Sequence, residues 1–312
     1  MVDCKGTITM NTRPTSTTGL LSGLRLAWKF LILGVIAVVL AIVPFVQFYS
    51  TAQDGVNSAQ HELDGFQPAR KLLAVVNLTQ EHRGLSAGAL AGDENLAAEL
   101  GPKKAEIDRA VAELEIDIVN IGSSSIQDAW RKSRQEWNDI SSNMASRLLS
   151  AEKSFNDHTR LIEGYLAQLD LMLDFYSLSL DSRAESYFLI QAAYVTTPRL
   201  NEALGQLRGL GASQLARAQR RSSGDLVDEG MSLAERTTLA TVLADAETNL
   251  SGTLLNLGKA MNMSPRLRET LKLPLINAQN SAQTILELIR TCLLYTSPSP
   301  RDRTRSRMPS SA

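Results

Sequence analysis

The stretch from Phe30 to Tyr49, FLILGVIAVVLAIVPFVQFY, contains no Asp, Glu, Lys, Arg or His. Its length, roughly 20 residues, is about what an α-helix needs to cross the hydrocarbon core of a bilayer. The backbone polar groups of such a segment must be satisfied within it, which favours a helix. We therefore predict a transmembrane helix over residues 26–50. A cleaved signal peptide is the alternative, although its apolar core would be shorter and followed by small residues at the cleavage site.

The charges on either side of this helix predict its orientation. Four basic residues precede it against one acid, whereas no Lys or Arg follows it before Arg70. Because basic flanks are retained on the cytoplasmic side, we expect residues 1–25 to be a disordered cytoplasmic tail. The rest of the chain would be exported, as an extracytoplasmic domain attached to one membrane helix.

The composition of the exported part limits its partners. Residues 51–291 carry 24 basic and 31 acidic side chains, a net charge of −7. An acidic surface of this kind disfavours nucleic acid as a partner. Cys4 and Cys292 both lie outside this part, so packing without disulfides must hold it together. A segment of about 240 residues is long enough to do so, as one elongated or two compact units.

The C-terminal residues differ in character from the rest of the chain. Cys292–Asp302 reads CLLYTSPSPRD, which matches the translation of a transposase sequencing adapter, and residues 303–312 are rich in Arg and Ser without apolar periodicity. We interpret residues 292–312 as an artefactual tail and leave them out of the fold prediction. The expectation is then that the gene continues beyond Thr291. A disordered basic tail is the alternative.

Apolar residues recur at helical spacing nearly everywhere from Ser50 onward. We predict that the first helix continues through Leu90. The second predicted helix runs from an N-cap at Asp93 to Ile121, with a kink or break at Gly101-Pro102. The next three run from Ile126 to about Ser150, from Ala151 to Leu180, and from a cap at Asp181 to Ile190. The last three run from Thr197 (N-cap) and Pro198 to about Arg221, from a capping box of Ser232 and Glu235 past Leu254, and from Ser264-Pro265 past Ile289.

Four amphipathic helices joined by short loops predict an antiparallel bundle over residues 51–180. The pattern restarts over residues 181–291. We therefore expect an all-α fold, in which one N-terminal transmembrane helix is followed by a helical-bundle domain of two stacked or fused bundles. Trp130 and Trp137 are seven residues apart, on one face of a helix, and are interpreted as core or bundle-interface side chains.

Two short stretches of the chain repeat each other. Residues 83–91 read RGLSAGALA and residues 208–216 read RGLGASQLA. A glycine inside a helix costs about 1 kcal/mol relative to alanine, and the compensation would be a close approach of neighbouring helices at Gly84 and Gly209. Arg83 and Arg208 could then turn inward between the helices. Two converging guanidinium groups would suit a planar oxyanion, since they pair bidentately with such groups.

Other interpretations of these residues stay open. Glu81 or Glu202 could neutralise the two arginines in ordinary ion pairs. His82 could tune a pocket, but the three histidines lack metal-ligand spacing and are expected to be surface or internally satisfied side chains. Ser86 and Ser213 lack the His and Asp context of a nucleophile. We therefore predict no catalytic residue, no metal and no cofactor, and do not expect an enzyme.

The two Arg-Gly segments also carry a family resemblance. Residues 80–86, QEHRGLS, resemble the signature of the nitrate- and nitrite-sensing (NIT) domain family, and residues 204–211, LGQLRGLG, resemble its second segment. The connection over residues 180–200 is similar to that of bacterial transmembrane chemoreceptors. The resemblance covers about residues 55–290, and this chain carries His82 where the family often has Glu.

The resemblance implies an all-helical sensor whose ligand-contacting arginines fall on Arg83 and Arg208, with His82, Gly84 and Gly209 tuning the pocket. The implied ligand is a small anion such as nitrate or nitrite, bound by a homodimer. The implied output domain, missing here, is a methyl-accepting chemotaxis domain, a histidine kinase, a cyclic-dinucleotide cyclase or an RNA-binding antiterminator module. The alternative is a membrane-anchored adaptor or structural bundle that binds a periplasmic protein and uses both Arg-Gly sites only for packing.

Overall fold

A computed structural model describes residues 25–146, 149–180, 183–222 and 231–295 of the chain. Over these residues one long apolar N-terminal helix is accompanied by seven further α-helices packed as a bundle, which confirms the all-α prediction. The helices are α1 (Leu26–Leu90), α2 (Glu94–Asn120), α3 (Ser124–Ala145), α4 (Ala151–Phe175), α5 (Ala184–Ile190), α6 (Thr197–Ser222), α7 (Leu233–Met263) and α8 (Pro265–Tyr295), with a 3₁₀ turn at Leu178–Leu180 and a π-helical segment at Gln191–Thr196. The chain divides into two compact units, residues 1–58 and residues 59–312.

The described part of the first unit is the apolar portion of α1. Its large side chains are exposed, as Phe30 at 66%, Leu33 at 68% and Phe45 at 68% illustrate. Among the described residues, α1 is the one helix that is long and apolar enough to cross a membrane. A signal sequence near the N-terminus can meet the same criterion of length and hydropathy. The predicted continuation of this helix to Leu90 is confirmed.

The second unit contains two hydrophobic clusters. The first joins the C-terminal part of α1 to α2, α3 and α4, with Leu72, Leu114 and Leu169 completely buried. Trp130 and Trp137 belong to this cluster at 1% exposure each, which confirms their prediction as packing residues. The second cluster joins α6, α7 and α8. The division into two bundles at residue 180 stays a prediction.

Several helix ends lie where their capping residues predict. The Asp93 side chain accepts hydrogen bonds from the backbone N–H groups of Asn95 and Leu96, which satisfies two of the unpaired donors at the start of α2. Ser232 and Glu235 form the predicted capping box of α7, each side chain accepting a hydrogen bond from the other's backbone N–H. Local polar chemistry therefore fixes these two helix starts.

Other predicted boundaries are wrong by a few residues. Helix α2 continues through Pro102 without a break. Helix α3 begins at Ser124, two residues before the predicted start, and ends at Ala145 rather than near Ser150. Helix α4 ends at Phe175, and the 3₁₀ turn follows after Ser177, which has a left-handed backbone with φ of 58°. Tertiary packing decides such ends, because helix periodicity alone continues past them.

The predicted N-cap at Thr197 is wrong. Thr197 has helical dihedral angles, and its N–H donates to the carbonyl of Ala192, five residues earlier, so the chain stays helical from α5 through the π-helical segment into α6. Pro198 has no backbone N–H, and the wider π turn immediately precedes it. The proline therefore marks a change of helix type rather than a helix start.

Some predictions fall outside the described residues. These are the disordered tail over residues 1–24, the cap at Asp181 and the adapter-like residues 296–312. Helix α8 extends to Tyr295, so the first four residues assigned to the artefactual tail continue the helix.

Helix α2 offers a matched test of the first hydrophobic cluster. Ile118 is 1% exposed and belongs to the cluster, whereas Ile116 is 66% exposed. We expect Ile118→Ala to lower the free energy of unfolding by about 2–5 kcal/mol, because it leaves a cavity. Ile116→Ala should change it by less than about 0.5 kcal/mol. Guanidinium chloride unfolding of both variants measures this, and equal effects would contradict the assigned face of α2.

Candidate functional site

The guanidinium group of Arg83 on α1 is buried in an ion pair with Glu202 on α6. Nη1 of Arg83 lies 2.5 Å from Oε1 of Glu202, and Nη2 lies 3.1 Å from Oε2, so the contact is bidentate. The two residues are 3% and 4% exposed. The ion pair that the sequence left open as an alternative for Arg83 is therefore present.

Helix α4 provides the rest of the Arg83 environment. Nη1 of Arg83 also donates to the Thr159 hydroxyl at 2.8 Å. The Phe155 ring lies under the guanidinium, with its centroid 5.1 Å from Cζ of Arg83. A cation over an aromatic face is attracted by the ring quadrupole. Arg83 is thus held by a carboxylate, a hydroxyl and an aromatic face.

Two further polar side chains complete the hydrogen bonding of Glu202. Nε2 of Gln80 donates to its Oε2 at 2.9 Å, and Nε2 of Gln206 donates to its Oε1 at 2.8 Å. We call Arg83, Gln80 and Gln206 the donor cluster. Gln80 lies in the first Arg-Gly segment and Gln206 in the second, although neither was singled out from the sequence.

Arg208 occupies different surroundings. Its side chain is exposed, and among the described residues no carboxylate pairs with it. The arginine and glycine positions of the two segments nevertheless meet reciprocally. A Cβ atom added to Gly84 on α1 would lie 3.5 Å from Nη2 of Arg208, and one added to Gly205 on α6 would lie 2.9 Å from Nη2 of Arg83. Small residues therefore let each guanidinium reach the facing helix.

Gly209 has a separate packing role. A Cβ atom there would lie 2.5 Å from Cε2 of Phe155, the ring that contacts Arg83. Because Gly209 has no side chain, the Phe155 ring can lie against α6. The glycine that follows Arg208 in the sequence thus supports the position of Arg83 through Phe155.

His82 pairs with His158 beside this site. Nδ1 of His158 lies 2.7 Å from the carbonyl oxygen of Ser154, and since a carbonyl only accepts, this nitrogen carries the proton. Nε2 of His158 is then the acceptor for Nδ1–H of His82, at 2.8 Å. The rings of Trp137 and His82 pack in a T-shaped arrangement, with their centroids 5.1 Å apart. No local sequence pattern indicates that these two histidines meet, since they are 76 residues apart.

Both imidazoles are held neutral. Burial, and then the charge of His158, lowers the pKa of His82 to about 3. Burial also lowers the pKa of His158 to about 4, against the raising effect of the hydrogen bond to the Ser154 carbonyl, and the nearby charge of Arg83 lowers it further. His82 is therefore an internally satisfied residue, as one of the sequence interpretations expected, and its pocket-tuning role stays a prediction.

Glu202 also lines a solvent-open groove of about 360 Å³ between α4, α6 and α7. The titratable side chains that line the groove are Glu163, Asp170, Arg199, Glu202 and Asp245. Arg199 pairs with Asp170. Burial, and then the charge of Glu202, raises the pKa of Glu163. The groove is therefore acidic, and its lining alone does not favour an anion.

The structure thus brings the five predicted site residues into one region with unequal surroundings. His82 and Arg83 are buried, Arg208 is exposed, Gly84 faces the Arg208 side chain, and Gly209 faces the Phe155 ring. Their role in ligand binding stays a prediction. Thr159, Phe155 and His158 were missed, because they come from α4, which carries no motif.

The described residues thus form an all-α bundle in which a buried arginine holds a carboxylate in a bidentate ion pair. The family model for nitrate and nitrite sensing (NIT) matches residues 74–290, a span that includes both Arg-Gly segments. The chain belongs to this family, so its functional class is nitrate or nitrite sensing in signalling. No curated protein and no solved structure matches the chain.

The neutral histidine pair predicts that stability falls in acid. The unfolded imidazoles protonate below about pH 6.5, whereas the folded ones resist protonation until about pH 4 or lower. The folded state therefore has its full stability above pH 6.5 and loses it as the pH falls through this window. We expect the free energy of unfolding to be about 2–3 kcal/mol lower at pH 5.5 than at pH 7.5.

Urea unfolding at several pH values measures this dependence. The double variant His82→Gln, His158→Gln should show a smaller loss between pH 7.5 and 5.5, while His61→Gln controls for removing an imidazole elsewhere. An unchanged slope in the double variant would contradict the assignment.

Gly209 and Gly211 on α6 form a second matched pair. A Cβ atom at Gly209 overlaps Phe155, whereas one at Gly211 meets nothing within 4 Å. We expect Gly209→Ala to destabilise the fold by about 1–3 kcal/mol through overpacking. Gly211→Ala should stabilise it by up to about 1 kcal/mol, since alanine favours the helix. Guanidinium chloride unfolding distinguishes the two, and a stabilising Gly209→Ala would refute the packing role.

Proposed function

We propose that this chain is the sensing portion of a transmembrane signalling receptor, and that nitrate or nitrite binds between α1 and α6 at Arg83 and Arg208. The observation that carries the proposal is the meeting of the two Arg-Gly segments at the facing glycines Gly84 and Gly205. Both segments lie inside the residues matched by the nitrate- and nitrite-sensing family. Paired guanidinium donors suit a small planar anion.

The proposed anchor is the apolar part of α1, residues 26–50, in the bacterial inner membrane. Basic residues precede this segment, which supports a cytoplasmic N-terminus and a periplasmic sensor. We propose that the receptor acts as a homodimer and that the portion described here works by binding rather than catalysis. A chemotaxis-type output is the proposed partner domain, with a histidine kinase or cyclic-dinucleotide cyclase as alternatives.

Signal transfer would begin with a shift between α1 and α6. Packed helices move between discrete arrangements by steps of about 1–2 Å. Because Arg83 lies on the same helix as the apolar segment, a change in its contacts acts directly on α1. The effect of ligand is then a displacement of the helix that we propose to anchor the receptor.

Isothermal titration calorimetry of the detergent-solubilised chain with nitrate and with nitrite tests the site. We expect binding, and we expect Arg83→Lys and Arg208→Lys each to weaken it by about tenfold or more, because lysine keeps the charge but loses the planar set of donors. Arg131→Lys is the matched control, since Arg131 is an exposed residue of α3 that pairs with Asp128. Wild-type affinity in both site variants would refute the assignment.

A further inference from the structure

The Glu202 carboxylate is surrounded by side-chain hydrogen-bond donors. Its two oxygens receive four hydrogen bonds, two from Arg83, one from Gln80 and one from Gln206, at 2.5 to 3.1 Å. All the donors are side chains of the two Arg-Gly segments or their immediate neighbours. The donor cluster is therefore complete around a negatively charged, planar group.

Nitrate and nitrite share the chemistry of that group. Each has oxygens on a trigonal centre with a delocalised negative charge, as a carboxylate does, and the planar donor set of arginine matches this geometry. We propose that Glu202 is an internal substitute for the ligand, and that nitrate or nitrite binds by displacing its carboxylate from Arg83, Gln80 and Gln206. This inference rests on the proposed function and names the residues that set the affinity of the site for nitrate or nitrite.

Electrostatics supports displacement over binding alongside Glu202. The groove that Glu202 lines also carries Glu163, Asp170 and Asp245, with Arg199 as its basic residue. An anion that enters while Glu202 is in place meets mainly carboxylates, which repel it. The site becomes attractive only when Glu202 leaves, because Arg83 then has a buried charge without a partner.

The groove is open to solvent, so the released Glu202 carboxylate can be hydrated there. Arg199 lies in the groove three residues before Glu202 on α6, at a spacing that lets helix side chains meet, although Asp170 already pairs with it. In this exchange the Glu202 carboxylate, which is part of α6, is replaced by a free nitrate or nitrite ion. Ligand binding would therefore break the ion pair that joins α1 to α6, which gives the proposed shift between these helices a physical cause.

Glu202→Gln tests the inference, because it removes the competing charge and preserves the shape of the side chain. We expect it to tighten nitrate binding by about tenfold or more in calorimetry, as for the loss of a charged hydrogen-bonding competitor. Glu163→Gln is the matched control, since Glu163 lines the same groove and the hydrogen bonds of Arg83 go to other residues. It should change the affinity by less than about threefold.

The outcomes separate this inference from the proposed function. If the wild type binds nitrate and Glu202→Gln does not tighten binding, or if Glu163→Gln tightens it equally, the displacement is refuted while the proposed function stands. If Glu202→Gln binds nitrate and the wild type does not, both are supported. If neither protein binds nitrate or nitrite, while circular dichroism shows both to be folded, both are refuted.

The two glutamines are tested in the Glu202→Gln background. We expect Gln80→Met and Gln206→Met each to weaken nitrate binding by about fivefold, because each removes one hydrogen-bond donor at similar side-chain volume. An unchanged affinity in both variants would show that the glutamines serve only Glu202, and would remove them from the proposed ligand site.

Discussion

Arg83 and Glu202 are almost completely buried, and each compensates for the charge of the other. Removing an ion from water costs several kcal/mol, and a buried pair compensates for this only with good geometry and additional hydrogen bonds. Here the compensation comes from a bidentate contact, from Gln80 and Gln206, and from the Phe155 ring. The pair also joins α1 to α6, whose apolar side chains belong to different hydrophobic clusters. A polar contact thus connects the two clusters of the bundle.

The two histidines beside this pair add no positive charge to it. His82 and His158 stay neutral because burial opposes their protonation, and Nδ1–H of His82 donates to Nε2 of His158. Gly205 and Gly209 have no side chains, which leaves space for Arg83 and Phe155, respectively. An ion pair, two neutral histidines and two glycines therefore lie together at one site, although these residues come from three helices. Family membership over residues 74–290 gives this arrangement a sensing context.

The sequence predicted more of the fold than of the site, and the reason is the range of the interactions. The end of α1 at Leu90, the Asp93 cap and the Ser232–Glu235 capping box depend on contacts within a few residues, and all were predicted. The wrong boundaries, at Thr197 above all, lie where the next helix or a change of helix type overrides the local preference. Site partners such as Thr159 come from a helix with no motif, so no local pattern could reveal them.

By itself, the sequence determined an apolar helix, an all-α domain after it, and two Arg-Gly segments that identify the family. Each of these features depends on local periodicity or on a short motif. Only the tertiary structure decided that one arginine is buried on Glu202 while its counterpart is exposed, and that two distant histidines share a hydrogen bond. The two arginines have the same local sequence, Arg-Gly-Leu. Burial depends on which helices pack against each residue, and that information is spread along the whole chain.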